Sequence, residues 1–147
     1  MKKSCFLFGN ADAPQSIYSI IERHIELEFI EGNEIFYVGY HGKFDRLASL
    51  ALQNAKKKHP MISAYLVLSY HPTEKQIDLP TDFDGFFYPP IEEVPRRFAI
   101  VRANRYMIEN VDTVLCYVDH PGNSRNLLEY ALRKKKKVIN ISDSIKP

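Results

Sequence analysis

The chain has 147 residues, 45% of them apolar, with 20 basic and 18 acidic side chains and a formal net charge of +2. That length and composition suit one domain, residues 1–147, with a continuous core. The near balance of charge gives no global electrostatic reason to expect nucleic acid or a membrane as a partner. Cys5 and Cys116 sit inside apolar, strand-like runs, where a thiol behaves as a small buried hydrophobe, so no disulfide framework is expected. The basic Met1-Lys2-Lys3 precedes an apolar run that ends at Gly9. That run is too short for a signal peptide's hydrophobic region or a membrane span, and a cytoplasmic protein is expected.

Cys5 to Phe8, ended by Gly9-Asn10, reads as a strand buried on both faces. Asp12 is placed to cap a helix with Pro14 in its first turn, and Ile17, Ile20, Ile21, His24 and Ile25 recur on one helical face. Gly32-Asn33 ends that unit. Ile35 to Val38 is a second strand, Leu47, Ala48, Ala51, Leu52 and Ala55 form the apolar stripe of a second helix closed by Pro60, and Ile62 to Leu68 is a third strand. This β-α-β-α-β alternation predicts an α/β domain, its sheet mostly parallel with helices on both faces.

From Ser69 to Pro95 five prolines exclude a long helix, and only Gly85 to Tyr88 resembles a strand. A connection this long in a small domain suggests a segment covering a site. The alternation then resumes. Arg96 to Asn110 is a helix with Ile100, Val101, Met107 and Ile108 inward, and Thr113 to Val118 is a strand. Asn123 to Lys136 is a helix on Leu127, Leu128, Ala131 and Leu132, and Val138 to Ile141 is a last strand.

Open parallel sheets bind ligands beyond the carboxyl ends of their strands. That directs attention to the loops beginning at Gly9, Gly39, Ser69 and Val118. In Gly39-Tyr40-His41-Gly42-Lys43-Phe44-Asp45 two glycines precede a helix, Phe44 can anchor the loop in the core, and Asp45 lies in the first helical turn. Asp45 can serve the helix dipole and backbone donors, or accept hydrogen bonds from ribose hydroxyls. Pro121-Gly122-Asn123-Ser124 opens a helix whose first amides point at the crevice, the strongest phosphate-binding feature of the chain. Asn123 or Ser124 can also simply cap that helix. Gly9-Asn10 is either an ordinary turn or a close backbone approach with an amide beside the ligand. Asn104 falls in a buried stripe, where an amide needs partners, and Arg105 beside it can swing a guanidinium to the crevice mouth.

Other features carry blander readings. Lys56-Lys57-Lys58 and Arg133 to Lys137 are solvated helix ends, and Arg125, Glu129 and Arg133 stand at the spacing of an exposed ion-paired stripe. The five histidines are scattered without ligand spacing, and the cysteines form no metal motif, so neither metal nor cofactor is expected. No serine stands in a nucleophile elbow, and the catalytic residues are unassigned.

Taken in order, the run from Cys5-Phe6 to Gly9, Gly39 with Phe44-Asp45-Arg46-Leu47-Ala48, Asn104-Arg105-Tyr106-Met107, and Gly122-Asn123-Ser124 with Tyr130-Ala131 resemble the SLOG superfamily, in particular its small bacterial and phage branch. These are Rossmann-like proteins related to the lonely-guy enzymes and to the DNA-processing protein A fold, and the resemblance covers nearly the whole chain. It implies a Rossmann-like fold and binding of a nucleotide or nucleotide-derived molecule by Gly9, Asn10, Gly39, Gly42, Phe44, Asp45, Asn104, Arg105, Gly122, Asn123 and Ser124. Phosphate would sit at Gly122 to Ser124 and ribose near Asp45, with Asn104 and Arg105 closing the site. The long connection itself has two readings: Tyr70, Phe83, Phe86 and Phe87 cover the base, or the segment is a proline-stiffened edge connection packed on the core.

The resemblance also implies an alternative activity, hydrolysis of the N-glycosidic bond of a nucleoside monophosphate. Here Ala103 stands where the branch usually has arginine, with Arg102 and Arg105 as the neighbours that would have to substitute. Tyr40 and Asn123 replace glycines, Lys43 replaces the last glycine of the second loop, and Ser124 replaces threonine. Loss of a phosphate clamp and a positioned acid is expected to reduce catalysis by orders of magnitude. A sensor or interaction module is therefore the leading expectation, with a homodimer compatible with the fold and a DNA-associated accessory role as a third reading.

Overall fold

The computed structural model describes residues 2–71, 73, 76–91 and 93–145. In chain order it contains β1 (Lys3–Gly9), a single 3-10 turn, α1 (Tyr18–Ile30), β2 (Asn33–Val38), α2 (Lys43–Lys58), β3 (Ser63–Val67) and β4 (Gly85–Phe87). A second 3-10 turn leads into α3 (Ala99–Asn110), followed by β5 (Thr113–Tyr117), α4 (Asn123–Arg133), β6 (Lys137–Asn140) and α5 (Ile141–Ile145). The strands form one sheet in the order β4-β3-β2-β1-β5-β6, and every neighbouring pair is parallel. This is an α/β Rossmann-like sheet, and its strand order reverses beside β1. No helix among the described residues is long and apolar enough to cross a membrane.

Alternation along β1 explains why its apolar run is continuous: Cys5 and Leu7 enter the core under α1 and α2, whereas Phe6 and Phe8 enter the core under α3 and α4. Each face of the sheet therefore has its own buried layer. Ile17, Ile21 and Ile25, and the whole stripe from Leu47 to Ala55, fill the first; Met107, Ile108, Leu127, Leu128 and Ala131 fill the second. At the amino end of the sheet Asn33 Nδ2 donates to Glu28 Oε1 at 3.0 Å and to Thr113 Oγ1 at 3.4 Å, and Lys137 Nζ approaches the same Glu28 oxygen at 3.4 Å. Glu28 and Asn33 are both buried. Asn33→Ala would leave that carboxylate with one lysine, and we expect a loss of about 2–3 kcal/mol in urea unfolding.

Several local expectations are corrected. Asp12 does not cap α1: Pro14 begins the 3-10 turn Gln15–Ile17, and Asp12 Oδ1 lies 2.8 Å from His120 Nε2. Met107 and Ile108 face inward on α3 as expected, but Val101 is 41% exposed and Ala99 and Ala103 complete the buried stripe; on α4, Leu132 is 56% exposed. The basic run after α4 is not simply solvated, because Lys136 Nζ donates to the carbonyls of Glu109 and Val111 and so closes the carboxyl end of α3. Glu129 pairs with neither Arg125 nor Arg133 among the described residues. The last strand is followed by a short helix, α5, which periodicity over five residues could not announce.

Candidate functional site

Two strand-to-helix loops and the helices α3 and α4 converge at the carboxyl ends of β1, β2 and β5. Together they enclose a cleft of about 260 Å³. Gly9 and Ala11 come from the loop after β1, Gly39, His41 and Gly42 from the loop after β2, Asp45 from the first turn of α2, and Asn123, Ser124 and Leu127 from α4. Ile100 and Asn104 enter from α3. The cleft is smaller than the ~300–1,000 Å³ typical of a drug-sized site, which suits one part of a ligand with the remainder at the mouth.

Close packing shapes the floor. A Cβ on Gly9 would lie 2.5 Å from Phe44 Cγ and 2.9 Å from the Tyr117 carbonyl oxygen. A Cβ on Gly42 would lie 2.7 Å from Ala11 Cα, where the Lys43 N–H donates to the Ala11 carbonyl at 2.8 Å. These two glycines let the first two loops touch. Phe44 is fully buried beneath them. It anchors the loop and presents no surface to a ligand, which corrects its place among the expected contacts.

Asp45 Oδ2 accepts the His41 N–H at 2.9 Å, and Gly39 leaves room for that oxygen, since a Cβ there would come within 3.1 Å of it. Among the described residues Oδ1 accepts no hydrogen bond. Burial in this loop pushes the carboxyl up to about 6, against a smaller downward pull from the His41 amide. One oxygen therefore satisfies a backbone donor while the other remains for a ligand. The same loop forms a wall of a neighbouring cavity of about 400 Å³ with Arg46, Ile77 and Asp78.

At α4 the amino cap is Gly122, with φ 144°, a left-handed conformation that favours glycine. No side chain caps the helix. The amides of its first turn are therefore not occupied by Asn123 or Ser124 hydroxyl or amide groups, and both residues line the cleft. Gly122 itself is exposed and lies in an adjoining groove with Asp12, His120 and Pro121. Among the described residues, the lining of the cleft contains no lysine or arginine. Any anion bound there would depend on amides and the helix dipole.

The remaining expected residues stand elsewhere. Asn10 is buried and ties two loops together: its N–H donates to the Tyr117 carbonyl and its Oδ1 accepts the Asp119 N–H, each at 3.0 Å. Arg105 points away from the cleft, with its guanidinium carbon 4.7 Å from the centre of the Tyr130 ring. The aromatic residues of the long connection do not cover the cleft. Tyr70 lines a separate cavity of about 450 Å³ with His71, Tyr88 and Arg96, while Phe83 enters the main core. Phe86 is exposed on β4, and Phe87 packs against Tyr37 and Tyr106.

His41 is the residue that sequence reasoning missed. It lines the cleft, its Nε2 lies 2.8 Å from Ser69 Oγ, and its ring packs 4.2 Å from Tyr40. The signal was its place two residues after Gly39, in the loop that follows β2. Ser69 reaches the cleft only through this bond, whereas the loops after β1 and β2 reach it directly.

No protein-family model matches the chain, and no curated protein sequence matches it. Among solved structures it is similar to the X-ray structure of DNA processing protein A (DprA) from Streptococcus pneumoniae, with a TM-score of 0.65 and 14% identity. The match covers 92% of this chain and 49% of the other, so the chain spans about half of DprA. At that identity the likeness is one of fold: the chain has a DprA-like, Rossmann-like α/β fold.

Proposed function

We propose that this chain is a SLOG-like module that binds a nucleotide or nucleotide-derived small molecule at the carboxyl edge of its sheet. The observation that carries the reading is the cleft itself: residues far apart in sequence, Gly9, Gly39, Asp45, Asn104 and Ser124, share its walls. In this reading a phosphate meets the first-turn amides of α4 and a ribose hydroxyl donates to Asp45 Oδ1. Asn104 supplies both a donor and an acceptor on the opposite wall.

Binding without turnover is the better-supported form. Ala103 is completely buried, Arg102 Nη1 turns to Glu109 Oε2 at 3.6 Å, and Arg105 lies over Tyr130. None of the three positions offers a guanidinium to the cleft, so the clamp expected of a phosphoribohydrolase has no evident substitute. A hydrolase would rest on Asp45 as its acid or base, and release of free base by the purified protein would support that alternative.

Mass spectrometry of small molecules released from the purified, denatured protein tests the main reading. Wild type should release a nucleotide-like compound, and Asp45→Ala combined with Ser124→Ala should reduce its occupancy by about tenfold or more. An empty wild type that also fails to bind nucleoside monophosphates in titration would sink the proposal.

A further inference from the structure

The outward side of α3 has a composition that neither the core nor the cleft explains. Phe98, just before the helix, and Val101, Arg102, Arg105 and Glu109 share one helical face. Phe98 is 50% exposed and Val101 41% exposed. Beside this stripe lies the end of α4, where Tyr130 is ringed by cations: Arg105 at 4.7 Å, Lys134 at 5.5 Å and Arg133 at 5.9 Å from its ring centre. Arg97 stands 4.8 Å over the Phe98 ring. Glu109 is committed to this group, accepting a hydrogen bond from the Tyr130 hydroxyl and pairing with Arg102.

Arg97, Arg102, Arg105, Arg133 and Lys134 thus gather on this seam, where Glu109 pairs with Arg102, in a chain whose net charge is only +2. Arg133 and Lys134 also complement the dipole of α4. Arg102 and Arg105, in the middle of α3, have no such explanation, and Arg105 Nε is buried without a hydrogen-bond partner. The excess of like charge calls for an external anion, and the exposed Phe98 and Val101 call for apolar contact within the same footprint.

We propose that this α3–α4 seam docks an acidic polypeptide segment of a partner protein that carries apolar side chains among its carboxylates. Arginine and aromatic residues at the centre of a partly apolar patch are the usual anchors of protein interfaces. A single-stranded nucleic acid fits less well, because it binds by stacking bases on free rings. Here Tyr130 has cations against its ring and a tied hydroxyl, Phe98 lies under Arg97, and Val101 offers nothing to a base. The surface is distinct from the cleft, so this inference does not depend on nucleotide binding.

Fluorescence anisotropy of the full chain with three labelled probes provides the test. The probes are a peptide of glutamates interspersed with leucine and phenylalanine, the same peptide with lysines replacing the glutamates, and an oligothymidylate. The acidic peptide should bind saturably, the lysine peptide should not, and Arg102→Glu with Arg105→Glu should weaken binding by about tenfold or more. Val101→Asp, at an exposed position that folding tolerates, should weaken it as well. Absence of saturable binding by the acidic peptide, or binding indifferent to these variants, would overturn the proposal. So would tighter binding of the oligothymidylate that the same variants abolish, which would assign the surface to nucleic acid.

Discussion

Gly9→Ala is expected to cost about 3 kcal/mol of stability and to empty the cleft, because the new methyl group has nowhere to go. It would overlap Phe44 at 2.5–2.6 Å and press on the Tyr117 carbonyl at 2.9 Å. Phe44 is fully buried at the start of α2, so relief requires moving that helix end, and Asp45 moves with it. Gly85→Ala is the control, since its added Cβ meets only Tyr65 at 3.8 Å. Denaturant titration of both variants should separate them clearly. In a Phe44→Leu background the additional cost of Gly9→Ala should shrink, as a double-mutant cycle would register for residues in contact. Equal and small effects at Gly9 and Gly85 would show that the loop packing is not what shapes this site.

Asp45 gives the second large effect, through pH. Its carboxyl titrates at about 6 in the folded chain against an ordinary value of 3.8, chiefly because burial disfavours the charged form. Between those values the native state holds a proton that the unfolded state has lost, so this group's contribution to stability falls as pH rises and stays low above about 6. Full conversion of the shift would give about 3 kcal/mol, and partial exposure to solvent reduces it to about 1–2 kcal/mol. Asp45→Asn keeps an oxygen for the His41 N–H and removes the ionisation. Relative to wild type it should be more stable at pH 7.5, and that difference should vanish near pH 4. A difference unchanged across that range would contradict the desolvated carboxyl. The same physics favours a ligand that brings hydroxyl donors to Oδ1, because each such bond relieves the buried charge at neutral pH.

Periodicity and turn residues sufficed for the alternating architecture. An apolar run of Cys5 to Phe8 bounded by Gly9 has to be buried on both faces, and a stripe at 47, 48, 51, 52 and 55 has to be one side of a helix. Once a parallel sheet is inferred, the carboxyl ends of its strands share an edge. That is why Gly9, Gly39, Gly42, Asp45, Asn104, Asn123 and Ser124, chosen from separate loops and helices, line a single cleft. Their role as ligand contacts remains the proposal above, but their convergence was legible.

Packing decided the rest. Helical spacing placed Met107 and Ile108 inward on α3 but admits two adjoining stripes beside them, and only packing selected Ala99 and Ala103 over Val101. A buried amide such as Asn10 needs partners, yet the one it found, the Asp119 N–H, lies at the far end of the chain, beyond any local pattern. Arg105 was free to turn either way until Tyr130 on another helix supplied an aromatic face. His41 likewise acquired its bond to Ser69 only when β2 and β3 brought their ends together. Local spacing chooses which elements form and which ends they present; the direction of a long polar side chain depends on partners that only the folded sheet brings within reach.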